Sequence, residues 1–250
     1  MSLSAAPLAL YVHDICAVAP GLHHLDEWKN WAKHPVIPTE GKLNLACVPA
    51  IFKRRASLAT KLALETALGI TLQQQPEYTI FASQHGEVER LIALLAQIAN
   101  KETLSPMHFS QAVHNTASGL FSIIKKLDSN ISSIAAGEQT FQMAILDALA
   151  YLQLNPQKQV LLTMFDEVLP AFYQTYMTYP HACPFALTLL LGKEPSTYAK
   201  PIKVQSVAQK TNKQVLPGAL SFLAWALGDT TGDCLLLPMN DQSLQLVKID

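Results

Sequence analysis

The chain has 250 residues, half of them apolar and only 15% charged, enough for one large core but thin in the charge that usually covers a surface of that size. Eighteen basic against nineteen acidic residues give a formal charge of -1 with no block of like charge, which excludes the electrostatic footprint of a nucleic-acid binder. Cys16, Cys47, Cys183 and Cys234 are scattered with no CxxC pair, so reduced thiols in a cytoplasmic chain are expected rather than a disulfide framework.

Two accounts fit the low charge equally, a large core and an apolar surface that meets a partner. Met1 to Pro20 has no basic run before its apolar residues and is not expected to be a signal peptide. Ser57 to Leu68, rich in alanine and leucine and stopped by Gly69, predicts a helix; Tyr78 to Ala82, β-branched and aromatic, predicts a buried strand after it. Beyond Gly86, residues Glu87 to Asn100 set Val88, Leu91, Ile92, Leu95 and Ile98 on one helical face, with Glu87 and Glu89 in the first turn. The expectation is an amphipathic helix covering a sheet.

Ser110 to Lys126 reads as a second helix carrying Val113, Leu120, Ile123 and Ile124, with lysines at its negative pole. A strand at Ile131 to Ala135 follows, then a helix over Glu138 to Gln153 with Phe141, Ile145, Leu149 and Leu152 inward, then an apolar strand at Gln159 to Phe165. This alternation implies an α/β layered fold in one globular unit. The last third predicts a strand at Pro184 to Leu191 and a polar, mobile connection from Gly192 to Gln214. After it come a buried helix at Val215 to Leu227, too short to span a membrane, and strands near Cys234 to Leu237 and Leu244 to Ile249.

The residues that could carry chemistry gather at the turn after Asn130 to Ala135. A strand running into a tight turn and then a helix is the arrangement that exposes a nucleophile beside helix N-terminal amides. Here the turn offers Gly137, which has no side chain. Thr116-Ala117-Ser118-Gly119 imitates a nucleophile motif but lies inside a helical pattern and reads as a packing site. His114, beside Asn115, reads as a hydrogen-bonded buried histidine. His23, His24 and Asp26 lack a third well-spaced ligand, so no metal is expected. His85-Gly86-Glu87 opens a helix, with Glu87 as a dipole partner, and Asp166 with Glu167 at a strand end read as a solvated loop.

In order and spacing, Ser105-Pro106-Met107-His108-Phe109, Asn115, Gly119, Asn130-Ile131-Ser132, the turn at Gly137 and the strand at Gln159 to Phe165 resemble β-ketoacyl synthases. Val113-His114-Asn115 and Ala136-Gly137-Glu138-Gln139-Thr140-Phe141 are similar to the short ketosynthase-like subunits called chain length factors of aryl polyene biosynthesis. The resemblance covers residues 8 to 167 and is weaker beyond. It implies a thiolase-type layered α/β fold with an abbreviated second half, in a single ketosynthase-like domain over residues 1–250.

For chemistry the resemblance implies subtraction. The family's acylated cysteine falls at Gly137, and without a thiolate no covalent acyl intermediate forms there. Active relatives also carry two histidines in a longer second half, one in a His-Gly-Thr-Gly-Thr motif, whereas here only His181 follows residue 114. No cofactor is implied. The expected partner is a catalytic β-ketoacyl synthase subunit in a heterodimer or a higher assembly, with the acyl carrier protein engaged indirectly. In such dimers the strand before the nucleophile turn pairs across the two-fold axis, which carries over to Asn130, Ile131, Ser132, Ser133, Ile134 and Ala135. The segment after the Ser-Pro pair closes the neighbour's acyl pocket, which carries over to Met107, His108 and Phe109 as lining of the partner's tunnel. The implied function is a non-catalytic chain length factor in polyketide or fatty-acid-like elongation. The alternatives are an independent malonyl-carrier decarboxylase using amides at Gly137 and Glu138, and an acyl-binding regulatory protein.

Overall fold

The computed structural model describes residues 8–72, 74–176, 183–196, 199–209, 211, 216–228 and 232–249. A strand absent from the sequence reading begins it: β1 (Leu8–Val18). Two short helices, α1 (Leu25–Trp31) and α2 (Ala50–Lys53), were likewise not anticipated. The next helix, α3 (Leu58–Gly69), starts where Ser57 accepts the Thr60 amide at 3.0 Å, an N-cap that satisfies one donor of the first turn. Strand β2 (Tyr78–Ala82) and helix α4 (Val88–Ala99) follow as the pattern predicts.

The expected single helix over Ser110 to Lys126 is instead two. Helix α5 (Pro106–Ser110), capped by Ser105 with Pro106 in its first turn, ends before Gln111, and α6 (Thr116–Lys125) starts afresh after Asn115. Helix α6 stops at Lys126, which adopts a left-handed φ of 51°. Then come β3 (Asn130–Ile134), a 3₁₀ turn at Gly137–Gln139, α7 (Thr140–Leu154) and β4 (Gln159–Asp166). The remainder is α8 (Ala171–Gln174), β5 (Phe185–Gly192), β6 (Lys200–Val207), α9 (Gly218–Leu227), β7 (Cys234–Met239) and β8 (Gln242–Lys248). Strand β6 lies inside the stretch expected to be a mobile connection. Its alternation of exposed Lys203 with buried Ile202 and Val204 is the period of a one-sided strand, hidden in the sequence by the lysines and glutamines around it.

All eight strands form one sheet in the order β3-β2-β4-β5-β1-β6-β8-β7. Strand β2 runs parallel to both β3 and β4, and every pairing from β4 outward to β7 is antiparallel. The C-terminal third therefore extends this sheet. On one face α7, α9 and α1 cover a core that includes Phe141, Ile145, Leu189, Phe222 and Trp28; on the other, α3 and α6 cover Phe81, Phe121, Leu161 and Phe165. The chain is an α/β/α sandwich. No helix among the described residues is long and apolar enough to cross a membrane.

Candidate functional site

Three neighbouring parallel strands end on the same side of the sheet, the place where α/β folds gather functional groups. From β2 the chain enters Ser83 to Glu87, from β3 it reaches the turn at Gly137, and β4 ends at Asp166. The Ser83 amide donates to the Ile134 carbonyl at 3.1 Å and ties the first two together. Gly137 has φ +58°, a left-handed conformation that suits glycine, yet a Cβ built on it meets nothing within 4 Å. The backbone conformation, not crowding, favours glycine here. Behind it, the Thr140 hydroxyl accepts the Ala136 amide at 2.9 Å and donates to the Gly137 carbonyl at 2.6 Å, which fixes the turn against the start of α7.

Asp166 and Glu167 are not solvated: they are 1% and 2% exposed. Asp166 is still in register with Phe185 of β5, so neighbouring elements enclose it. Its carboxylate accepts the Ser83 hydroxyl at 2.7 Å and the amides of His85 at 3.1 Å and Gln84 at 3.2 Å. Burial pushes its pKa up to about 6 although these hydrogen bonds act in the opposite direction. Glu167 accepts the Ala59 amide of α3 at 3.2 Å, and burial, reinforced by the charges of Glu89 and Glu87, pushes it up to about 7. Glu87 is more than a dipole partner, because its buried carboxylate accepts the hydroxyls of Thr60 at 2.5 Å and Ser57 at 2.8 Å and faces Arg90 at 3.6 Å. Burial raises its pKa as well.

The acids thus brace the strand ends against α3 and α4. His114 completes the brace: its Nε2 lies 2.8 Å from the Ser83 carbonyl, and a Cβ on Gly86 would lie 2.8 Å from its Cδ2. The histidine is hydrogen-bonded as expected, but it is half-buried rather than buried and precedes α6 rather than lying in it. Gly137 itself is exposed, and little space is left on the inner side of the turn. The cavity that Gly137 shares with Phe141, Asp166, Phe185 and Pro217 measures about 20 Å³, room for one water and for no acyl chain.

The sequence model of the beta-ketoacyl synthase N-terminal domain matches residues 28–237. The chain belongs to that family. The match runs past residue 167, farther into the C-terminal third than the motifs alone reach. Among solved structures, a chain of the Xenorhabdus doucetiae ketosynthase ApeO in complex with its chain length factor ApeC is 28% identical, with a TM-score of 0.84 over 96% of this chain and 99% of that one. A chain of the ishigamide ketosynthase/chain length factor is 14% identical, with a TM-score of 0.64 over 80% of this chain and 67% of that one. A Burkholderia phymatum β-ketoacyl synthase is also 14% identical, with a TM-score of 0.61 over 88% and 69%. The last two establish the fold alone, which is the thiolase-type ketosynthase fold. No curated protein matches the chain.

Within this ketosynthase frame, β3 is the outermost strand, and beyond it no strand pairs among the described residues. Ile131 to Ile134 are half-buried rather than buried, and Asn130 and Ala135 are exposed. Met107 and His108 line a cleft of about 440 Å³ with Arg54, Arg55, Arg90 and Gln111, whereas Phe109 is 64% exposed. Helix α4 departs from expectation. Leu94 is its buried side chain, while Leu91, Leu95 and Ile98 are 46%, 53% and 55% exposed, so the apolar stripe faces away from the sheet. Val113 and Ile123 are exposed too.

Thr116, Ala117 and Ser118 are buried in the first turn of α6, where Ser118 bonds the Ser133 hydroxyl at 3.0 Å. His24 caps α1, and Glu27 accepts the His23 and His24 amides at 2.7 and 2.9 Å. Among the described residues no group of three His, Cys, Asp or Glu side chains is placed to hold a metal. His181 lies outside the described residues. Sequence reasoning missed the brace around Asp166; the signal for it was an acid directly continuing a fully apolar strand, where burial of the strand carries the acid inside.

Proposed function

We propose that this chain is a non-catalytic chain length factor that pairs with an active β-ketoacyl synthase and shapes its acyl tunnel during aryl polyene-type polyketide elongation. The observation that supports this reading is the turn at Gly137: the position that the resemblance assigns to the family's nucleophile holds no side chain, and the cavity behind the turn accommodates one water. Chemistry that needs a bound acyl group then belongs to another subunit. A carrier protein delivers its cargo to that subunit and meets this chain only indirectly.

Two surfaces support the pairing. The outer edge of β3, without a neighbouring strand among the described residues, offers backbone donors and acceptors that another sheet edge satisfies, and Asn130 to Ala135 is the segment assigned to it. The outward stripe of Leu91, Leu95 and Ile98 on α4 is apolar surface of the kind that marks an interface. The ApeO and ApeC structure is itself a ketosynthase with its chain length factor. Met107, His108 and Phe109 are assigned to the floor of the partner's tunnel, and the exposure of Phe109 leaves it free to reach across. One continuous sheet supports treating residues 1–250 as a single domain.

Native mass spectrometry of the chain captured from its own host tests the pairing. The expected result is a one-to-one complex with a cysteine-containing ketosynthase; a stable monomer or self-dimer overturns it. Phe109→Ala tests the floor. Longer products are expected, and unchanged length from an intact complex removes the assignment.

A further inference from the structure

The far half of the sheet holds a second cleft that the ketosynthase reading does not use. Strands β1, β6 and β8 and helix α9 enclose about 270 Å³, with Ile15, Ile202, Phe222 and Trp225 as apolar wall and Lys200 and Lys248 as the cations. Among the described residues no carboxylate lines it. Strands β2, β4 and β5 separate β1 from the edge strand β3, a distance of about 19 Å at the usual strand spacing of ~4.8 Å. The cleft is therefore separate from the edge assigned to the partner, and it stands whether or not that assignment holds.

Both ammonium groups are held in place. Lys200 Nζ donates to the Ala226 carbonyl at 3.3 Å, and Lys248 Nζ donates to the Gly228 carbonyl at 3.2 Å while lying 5.4 Å from the centre of the Trp225 ring. These carbonyls close the end of α9, whose partial negative charge would otherwise repel an anion; the lysines cover it and turn that end of the cleft cationic. Capping alone accounts for one N–H of each ammonium. Each has three, so among the described residues up to two per lysine are left to meet a ligand.

We propose that this cleft binds a small carboxylate with an apolar body, aliphatic or aromatic, its acid group between Lys200 and Lys248 and its body against Phe222 and Trp225. The volume lies just below the ~300–1,000 Å³ typical of drug-sized ligands, which selects a short acid over an extended chain. Burial of the body supplies affinity, and the ammonium groups supply preference for an anion.

Octanoate and 1-octanol, which share a chain length and differ in the acid group, are the probes. Isothermal titration of the chain, alone or in whatever complex it is purified in, is expected to show one octanoate site, with octanol bound about ten-fold more weakly. In the double variant Lys200→Gln, Lys248→Gln this difference is expected to vanish while octanol affinity stays as in the parent, with an unchanged melting temperature reporting an intact fold. No octanoate binding, equal binding of the two probes by the parent chain, or full octanoate preference in the folded double variant overturns the proposal.

Discussion

Helix α7 buries Phe141, Ile145, Leu149 and Leu152 between the sheet and α9, whereas α4 turns Leu91, Leu95 and Ile98 outward and keeps Leu94 inside. Both helices are rich in apolar residues, and α4 has the cleaner amphipathic pattern. A pattern of this kind reports that a face is to be covered, but not by what. Helix α7 is covered by its own chain; α4, read as part of a heterodimer, is covered by another.

The sharpest way to test this contrast is to truncate both helices. Ile145→Ala, at a fully buried site in α7, is expected to cost about 2–5 kcal/mol in unfolding by denaturant, the range for large-to-small core changes. Leu95→Ala in α4 is expected to stay within about 0.5 kcal/mol of the parent in the isolated chain. Equal losses would mean that the α4 stripe is part of the core after all.

A partner turns the comparison around. Leu91→Asp with Leu95→Asp is expected to weaken association with the proposed ketosynthase partner by about 2 kcal/mol or more, roughly thirty-fold, measured by titration. The isolated chain should keep its melting temperature. Unchanged association would leave β3 and the Met107 to Phe109 segment as the candidate contacts and α4 without a role.

Much of this architecture was legible in the sequence. The helix at α3 and the strands β2, β3, β4 and β5 follow from local composition, because each is a short apolar or β-branched run bounded by breakers. Strand β1 was not, since Leu8 to Val18 mixes His13, Asp14 and Cys16 into an irregular pattern, with a register shift between Val12 and Asp14 that breaks the period. The missing side chain at Gly137 could be read directly. The burial of Asp166 and Glu167 could not, because it depends on Ser83, His85 and Ala59, far away along the chain and brought in by the crossing of β2 and α3.

That buried brace makes the anchoring of the β4 end to α3 and to the Ser83 to His85 loop pH-dependent, unlike the mostly apolar setting of α7. The folded pKa values of Asp166, about 6 against an ordinary 3.8, and Glu167, about 7 against 4.5, are raised, so the folded state holds protons that the unfolded chain releases. Their contribution to stability is full below about pH 4 and is lost as pH rises to about 7. Glu167→Gln, which keeps an acceptor for the Ala59 amide and carries no charge, is expected to flatten this decline. Denaturant midpoints for parent and variant between about pH 4 and 8 check it, and parallel curves would exclude Glu167 as the source.

For chemistry, the expected effect of a change at the turn that precedes α7 is none. Gly137→Cys puts a thiol at the position that the resemblance assigns to the family's nucleophile, and the open space within 4 Å of its Cβ admits the side chain, so the expected cost is the left-handed backbone alone, about 1–2 kcal/mol. The added thiol is nevertheless expected to stay unacylated. At this exposed turn no pocket holds an acyl group against the thiol, since the cavity behind the turn has room for a single water, and the buried acid Asp166 is already committed to Ser83, Gln84 and His85 rather than poised as a base. The mass gained on incubation with an acyl thioester should be the same for Gly137→Cys as for the parent chain, whose exposed Cys47 and Cys234 set the background. An acyl adduct on the introduced thiol would mean that the turn retains a working site and that only its nucleophile was lost.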